Sequence, residues 1–363
     1  MRYRYFLIAG LILCSGFFSI LYEKKVKKSD AFTTEAFIEK WLTNDNGTLA
    51  TYMKAGDEED SDLVKGREAL SESLGIWMHY ALLKEDEVQF EHAYQQLTNY
   101  FLENDGFVRW KLTEAGENKV FANALVDDLR ICGALFDASE KWNEPRYEKA
   151  AVRISSYLTA FNQSESSLTD YYVKDEGTSQ YITLSYIEPD SLAKLNQRGL
   201  IDKAIYEKML AILKNAPLDG FYYPKAYDVE KDVYLFDSEI NMVDQSLVAL
   251  YRGKKRYSTT AFLDFIKEEI ELHGAIYGRY DRFSGGKLVD YESPAVYGWL
   301  ILYSLELHEL ELAQKLYSRM SQFKLRGSKY TGGYAVYNDD THIFDNLVPL
   351  LAERELDNLN LLR

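Results

Sequence analysis

After Ser29 the chain reads as helix after helix, with the same kind of glycine–aromatic loop returning between them. Apolar residues at 3.6-residue spacing predict helices over 33–42, 66–84, 87–103, 121–139, 144–160, 200–214, 238–251, 256–270, 290–306, 309–321 and 343–353. The recurring loops are Asn104–Trp110, Asp219–Tyr223, His273–Tyr277 and Gly332–Tyr337. They are roughly 55 residues or a multiple apart, the length of two helices and two turns. Helix pairs with one repeatedly decorated end predict an all-α (α/α)6-type toroid, a ring of helical hairpins whose loops gather at one mouth. An open solenoid of tetratricopeptide type is the rival, but its 34-residue signature is absent.

At 363 residues and 47% apolar, the chain can bury a large core, and no Pro/Gly/Ser-rich run divides it. Phe6 to Tyr22 is an apolar run of about 17 positions, close to the lower limit for a membrane span. Arg2 and Arg4 precede it, Lys24-Lys25-Val26-Lys27-Lys28 follow it, and no small-x-small cleavage site is present. The expected organisation is an N-terminal membrane anchor with its basic flank over 1–28 and a catalytic barrel over 29–363, displayed outside the cell. A lipoprotein is the alternative, on Cys14, although Leu13 stands where a small residue is expected. Residues 29–363 hold 36 Lys/Arg against 56 Asp/Glu, a net charge of −20. That surface repels nucleic acid and anionic lipid and suits a neutral or cationic polymer. The 29 Tyr, 18 Phe and 5 Trp suit a cleft for sugars, whose C–H faces lie flat on rings. With one cysteine besides Cys14, Cys132, no disulfide framework is expected. The five histidines make no ligand pair, so neither a metal nor a cofactor is expected.

One carboxylate stands out. In Ser71-Glu72-Ser73-Leu74-Gly75-Ile76-Trp77-Met78 a glutamate sits in an otherwise apolar helix, and a glycine three positions on leaves room beside it. Apolar surroundings push such a carboxyl's pKa upward, which suits a general acid working near neutral pH.

Three segments together resemble glycoside hydrolase family 8. Ser71–Met78 is similar to the pattern Ser-Glu-Gly-x-Gly-x-x-Met, and Asp105-Gly106-Phe107-Val108-Arg109-Trp110-Lys111 to Asp-Gly-Leu-x-x-Trp-Arg/Lys. Asp127-Asp128-Leu129-Arg130-Ile131, running into Lys141-Trp142-Asn143-Glu144-Pro145-Arg146-Tyr147, is similar to an Asp-Ala-Asp-Leu-x-Ile helix and a Lys-Trp-Gly-x-Pro-x-Tyr turn. The likeness spans roughly residues 66–160 and is diffuse beyond. Within the family the chain most resembles the membrane-anchored exopolysaccharide glycosidases of PssZ and YdaJ type. The resemblance implies Glu72 as general acid and Asp128 as a sugar-binding residue of the central subsite. The chain departs from the pattern at Val126, where the first aspartate would stand, and at Ser73, where a glycine would.

An inverting glycosidase also needs a base about 6.5–9.5 Å from the acid, across a water. The family carries it in a Tyr-Asp-Ala-x-Arg segment. The comparable stretch is Lys231-Asp232-Val233-Tyr234-Leu235-Phe236-Asp237-Ser238-Glu239-Ile240-Asn241, which lacks the arginine. Asp237 precedes a helical run and a helix N-cap would account for it, whereas Asp232 lies in an aromatic loop free to face a cleft. Asp232 is therefore the expected base and Asp237 its close competitor, with Asp244 and Glu239 further back. Trp77, Trp110, Tyr234 and Tyr280 are candidate stacking platforms, although aromatic residues on helix faces commonly belong to the core. The expected protein is a monomeric endoglycosidase acting on polysaccharide. A non-catalytic glycan-binding protein on the same scaffold and a polysaccharide lyase are the alternatives.

Overall fold

Twelve α-helices lie among the described residues, and apart from the short Pro189–Gln197 those apolar on one stripe alternate with those buried over most of their surface, which sorts them into two layers. In the computed structural model the described residues are 32–56 and 63–362. The helices are α1 (Thr33–Trp41), α2 (Ser71–Lys84), α3 (Glu87–Gln96), α4 (Leu125–Trp142), α5 (Pro145–Phe161) and α6 (Pro189–Gln197). They continue as α7 (Lys203–Asn215), α8 (Met242–Lys254), α9 (Thr260–His273), α10 (Pro294–Glu306), α11 (Leu310–Met320) and α12 (Phe344–Asn358). In α2 and α10 ten residues each are buried, all round the helix, whereas α11 buries only Leu312, Ala313, Leu316 and Met320.

The even-numbered helices form the inner layer. α2 packs on α4, α4 on α6, α8 on α10, α10 on α12, and α12 returns to α2. A single 3-10 turn, Leu184–Tyr186, packs against both α4 and α8. Outside, α3 lies on α2, α5 on α4, α7 on α6, α11 on α10 and α1 on α12. The inner helices approach closely where glycine allows it. A Cβ on Gly298 would stand 2.9 Å from the Val348 backbone of α12, so any side chain there would force α10 and α12 apart.

Connections from an inner helix to the next outer one are short, as between α2 and α3 or α4 and α5, with Glu85 and Asn143 in the left-handed region closing the inner helix. Connections from outer to inner are long, and all four glycine–aromatic loops lie in them. They therefore meet at the N-terminal ends of the inner helices, and two are tied there by side chains. Gln245 of α8 bonds the backbone of Tyr223, and Asn346 of α12 accepts the Tyr334 N–H at 2.8 Å.

Eleven of the twelve helices fall where periodicity predicts them, with shifted starts. Ala69–Leu70 pairs with Lys111–Leu112 instead of opening α2, and Glu239–Asn241 pairs with Arg279–Asp281 ahead of α8. α6 was not expected. The apolar run at 6–22 and its basic flank lie outside the described residues. Among the described residues no helix is long and apolar enough to cross a membrane.

Candidate active site

Acids stand in the first turns of the inner helices, among them Glu72 on α2, Asp127 on α4, Asp244 on α8 and Asp345 on α12. Unpaired backbone N–H groups at a helix start favour negative charge, so this end of the ring is suited to hold carboxylates. Ser71 fixes the start of α2, donating its N–H to Trp110 O at 3.0 Å and its Oγ–H to Asp127 Oδ2 at 2.8 Å. Gly75 then lets α4 come close, with Arg130 Cβ and Ile131 Cγ1 each 3.4 Å from where its Cβ would be. The space beside Glu72 is thus filled by α4. Arg130 Nη1 stands 3.7 Å from Glu72 Oε1 and 3.7 Å from Asp127 Oδ1.

Glu72 sits deep in the mouth and keeps 31% of its side-chain surface open to it. Burial and the Asp127 charge push its pKa up to about 7, against the pull of Arg130 and His342. Burial raises Asp127 to about 6, opposed by Arg130 and the Ser71 hydroxyl. From the other side of the mouth the charge of Asp244 also acts on Glu72. Burial raises Asp244 above the usual range, while Ser185, donating at 2.7 Å, and Lys225 work against that rise. Asp170 is raised to about 6 by burial, and accepts from the Thr183 N–H and hydroxyl at 2.6 and 2.7 Å.

Tyr186 lies among these acids. Its phenol feels the charges of Asp127, Asp170, Glu72 and Asp244, which together with burial keep it protonated. Among the described residues no hydrogen bond holds its hydroxyl, so it is a donor available to a guest. His342, just before α12, borders Glu72; burial lowers its pKa, and its ring stands edge-on to Tyr52 at 4.9 Å. No group of three or more His, Cys, Asp or Glu among the described residues could hold a metal ion.

No protein-family model matches the chain. YdaJ of Bacillus subtilis (strain 168), named as a candidate lipoprotein, is 36% identical over 342 residues, which cover 93% of this chain and 91% of YdaJ. Among solved structures, a novel alpha-amylase from Clostridium perfringens superposes with a TM-score of 0.80 at 25% identity, over 89% of this chain and 96% of that one. PssZ from Listeria monocytogenes gives 0.73 at 22% identity, over 90% and 96%. Endoglucanase Cel10 from Klebsiella pneumoniae, a family 8 glycosyl hydrolase, gives 0.63 at 14%, over 90% and 99%. This chain belongs to glycoside hydrolase family 8, alongside the YdaJ and PssZ type.

Within that frame the expected residues are placed unevenly. Glu72 lies in the mouth, and Trp110 is half-buried beside it with its carbonyl on Ser71. Asp128 does not face the mouth. It is 1% exposed, turned toward α5, and accepts from Asn123 at 2.8 Å. One residue is 100° of helix, so Asp127 takes the inward position instead. Asp232 is the clearest departure. It sits with positive φ on the turn between Ala226–Asp228 and Val233–Leu235, its side chain 72% exposed, bonded to Tyr227 and ion-paired with Lys208 of the outer helix α7. Its charge is not among those that act most strongly on Glu72. Tyr234 belongs to the same hairpin, its hydroxyl on Ile212 O at 2.8 Å. Asp237 is nearer, paired with Lys225 at 2.9 Å and within the field of Asp244. Trp77 is packed between α2 and α3, stacked on Tyr80 at 5.5 Å, and Tyr280 is buried against Glu269, so neither is a platform in the mouth.

Proposed function

We propose that this protein is a membrane-attached extracellular glycoside hydrolase that cleaves a bacterial exopolysaccharide with inversion. Glu72 is the general acid and Asp244 the general base. The observation that carries the proposal is that Glu72 and Asp244 stand in the first turns of α2 and α8, opposite in the ring, with the Asp244 charge reaching Glu72 and the Tyr186 hydroxyl within the field of both. A carboxyl held near neutrality can keep its proton until the glycosidic oxygen needs it. Asp244 takes a proton from a water attacking the anomeric carbon from the opposite face, and Tyr186 donates a hydrogen bond to that water or to the sugar beside it. Asp127 stays ionised against Ser71 and Arg130, so its charge keeps the proton on Glu72. The net charge of −20 over residues 29–363 supports a neutral or cationic glycan. Attachment through the N-terminal segment is supported by its apolar run and by the name YdaJ carries.

The test is hydrolysis of purified exopolysaccharide, read as new reducing ends and as the anomer first seen by proton NMR. The expected result is an inverted product from the native protein and almost none from Glu72→Gln. Native-like hydrolysis by that variant would remove Glu72 from the mechanism.

A further inference from the structure

The mouth holds more acid than its cations balance, and one guanidinium serves two of the carboxyls. Arg130 enters from α4 beneath the floor of the mouth. Its Nη1 has no hydrogen-bond acceptor, yet it stands 3.7 Å from both Glu72 and Asp127, an ion-pair distance rather than a bonded one. The side chain is 11% exposed and pinned on two sides, by the Trp299 ring of α10 at 5.8 Å and by the α2 backbone at Gly75. Tyr251 of α8 is its remaining polar neighbour. Below it, at the C-terminal end of the ring, a cavity of about 420 Å³ is lined by Arg130, His79, Glu188, Tyr251, Lys254 and Trp299. Lys254 is committed there to Asp190 at 2.7 Å, so it does not replace Arg130 at the acids. The groups facing Glu72 from every side are Asp127 and Arg130 on α4, Asp244 on α8, Tyr186 on its turn and His342 before α12.

We propose that Arg130 is a positioning residue that makes Glu72 a usable acid, by neutralising the carboxylate left behind when the proton departs. The proposal rests on Glu72 being the general acid. Before reaction the Glu72–Asp127 pair holds one proton, with Asp127 the anion because the Ser71 hydroxyl donates to it. In the acid step the Glu72 proton passes to the glycosidic oxygen, the bond from that oxygen to the anomeric carbon breaks, and its electron pair stays on the oxygen. Glu72 is then a second anion beside Asp127. The unbonded Nη1–H groups become donors to it. Without that cation two like charges would share one pocket and proton release would be opposed.

The experiment measures Glu72 directly, with no substrate. Full-length protein labelled with ¹³C at glutamate Cδ is titrated by NMR, and the Glu72 signal is assigned by its absence in Glu72→Gln. Arg130→Gln should move the Glu72 midpoint up by about one pH unit or more, the usual effect of losing an adjacent opposite charge. Asp127→Asn should move it down, because a like charge is lost, and Arg130→Lys should restore most of the native value. Opposite shifts from two neighbours on one helix are not what a merely structural role produces. An unmoved or lowered midpoint in Arg130→Gln overturns the proposal, as does a raised one in Asp127→Asn. Should Arg130→Gln not fold, Asp127→Asn and Arg130→Lys decide alone. Hydrolysis by Glu72→Gln is a separate readout, so failure of the acid assignment is distinguishable from failure of the role of Arg130.

Discussion

Replacing Glu72 by glutamine should stabilise the fold, and the gain should grow with pH. The folded-state pKa of this carboxyl is raised to about 7 from an ordinary 4.5. A raised acid keeps its proton in the folded chain while the unfolded chain loses it, so stability falls as pH climbs from 4.5 through 7 and then levels off. The full shift converts to about 3 kcal/mol. Because 31% of the side chain meets water in the mouth, screening leaves about 1–2 kcal/mol at pH 8. At pH 5, only half a unit above the ordinary value, the folded chain keeps the proton that the unfolded chain has begun to lose, and the cost is below about 1 kcal/mol. Asp127, relieved of a like charge in the variant, moves the balance the same way. Urea unfolding at pH 5 and pH 8, followed by circular dichroism, reads the difference. The expected pattern is a glutamine variant close to native at pH 5 and more stable at pH 8. A gain that is equal at both pH values, or larger at pH 5, would refute the reasoning.

Glu35 is buried and accepts from Tyr80, Lys84 and Gln89 at 2.7, 2.6 and 3.2 Å, so Glu35→Ala should cost about 2–3 kcal/mol in urea unfolding, since Lys84 retains Asp86. Trp77→Ala should cost about 3 kcal/mol by the same measurement while leaving KM for polysaccharide unchanged, because its ring packs between helices and not in the mouth.

Much of this fold is legible in the sequence because inner and outer helices bury different fractions of their surface, and both patterns repeat at 3.6 residues. The helix that escaped, Pro189–Gln197, has only Leu192, Ala193 and Leu195 as apolar positions after its proline, too sparse a stripe for periodicity to register. Its signal was chemical: Glu188 caps it by accepting from Asp190 and Ser191 N–H, and Pro189 opens it. Glu72 was legible because a lone acid in an apolar helix is conspicuous. The base was not. Asp232 lies on the tight turn of a hairpin and Asp237 just beyond its last strand, whereas the cap of the following helix is Asn241, which accepts from Val243 N–H. That placement puts Asp244 in the first turn, where the ring brings α8 to face α2. Asp127 and Asp128 differ by a single step of helix rotation, and only the positions of α2 and α5 decide which one turns inward. Tyr186 belongs to a three-residue turn with no periodicity, so its place among the acids follows from tertiary packing alone.

The most direct test compares reducing-end release from purified exopolysaccharide by Asp244→Asn and Asp232→Asn. Asp244→Asn should lose about 10²- to 10⁴-fold in kcat, the usual contribution of a general base, with Asp232→Asn close to native. The opposite pattern, an active Asp244→Asn and an inactive Asp232→Asn, would contradict the pairing of Glu72 with Asp244.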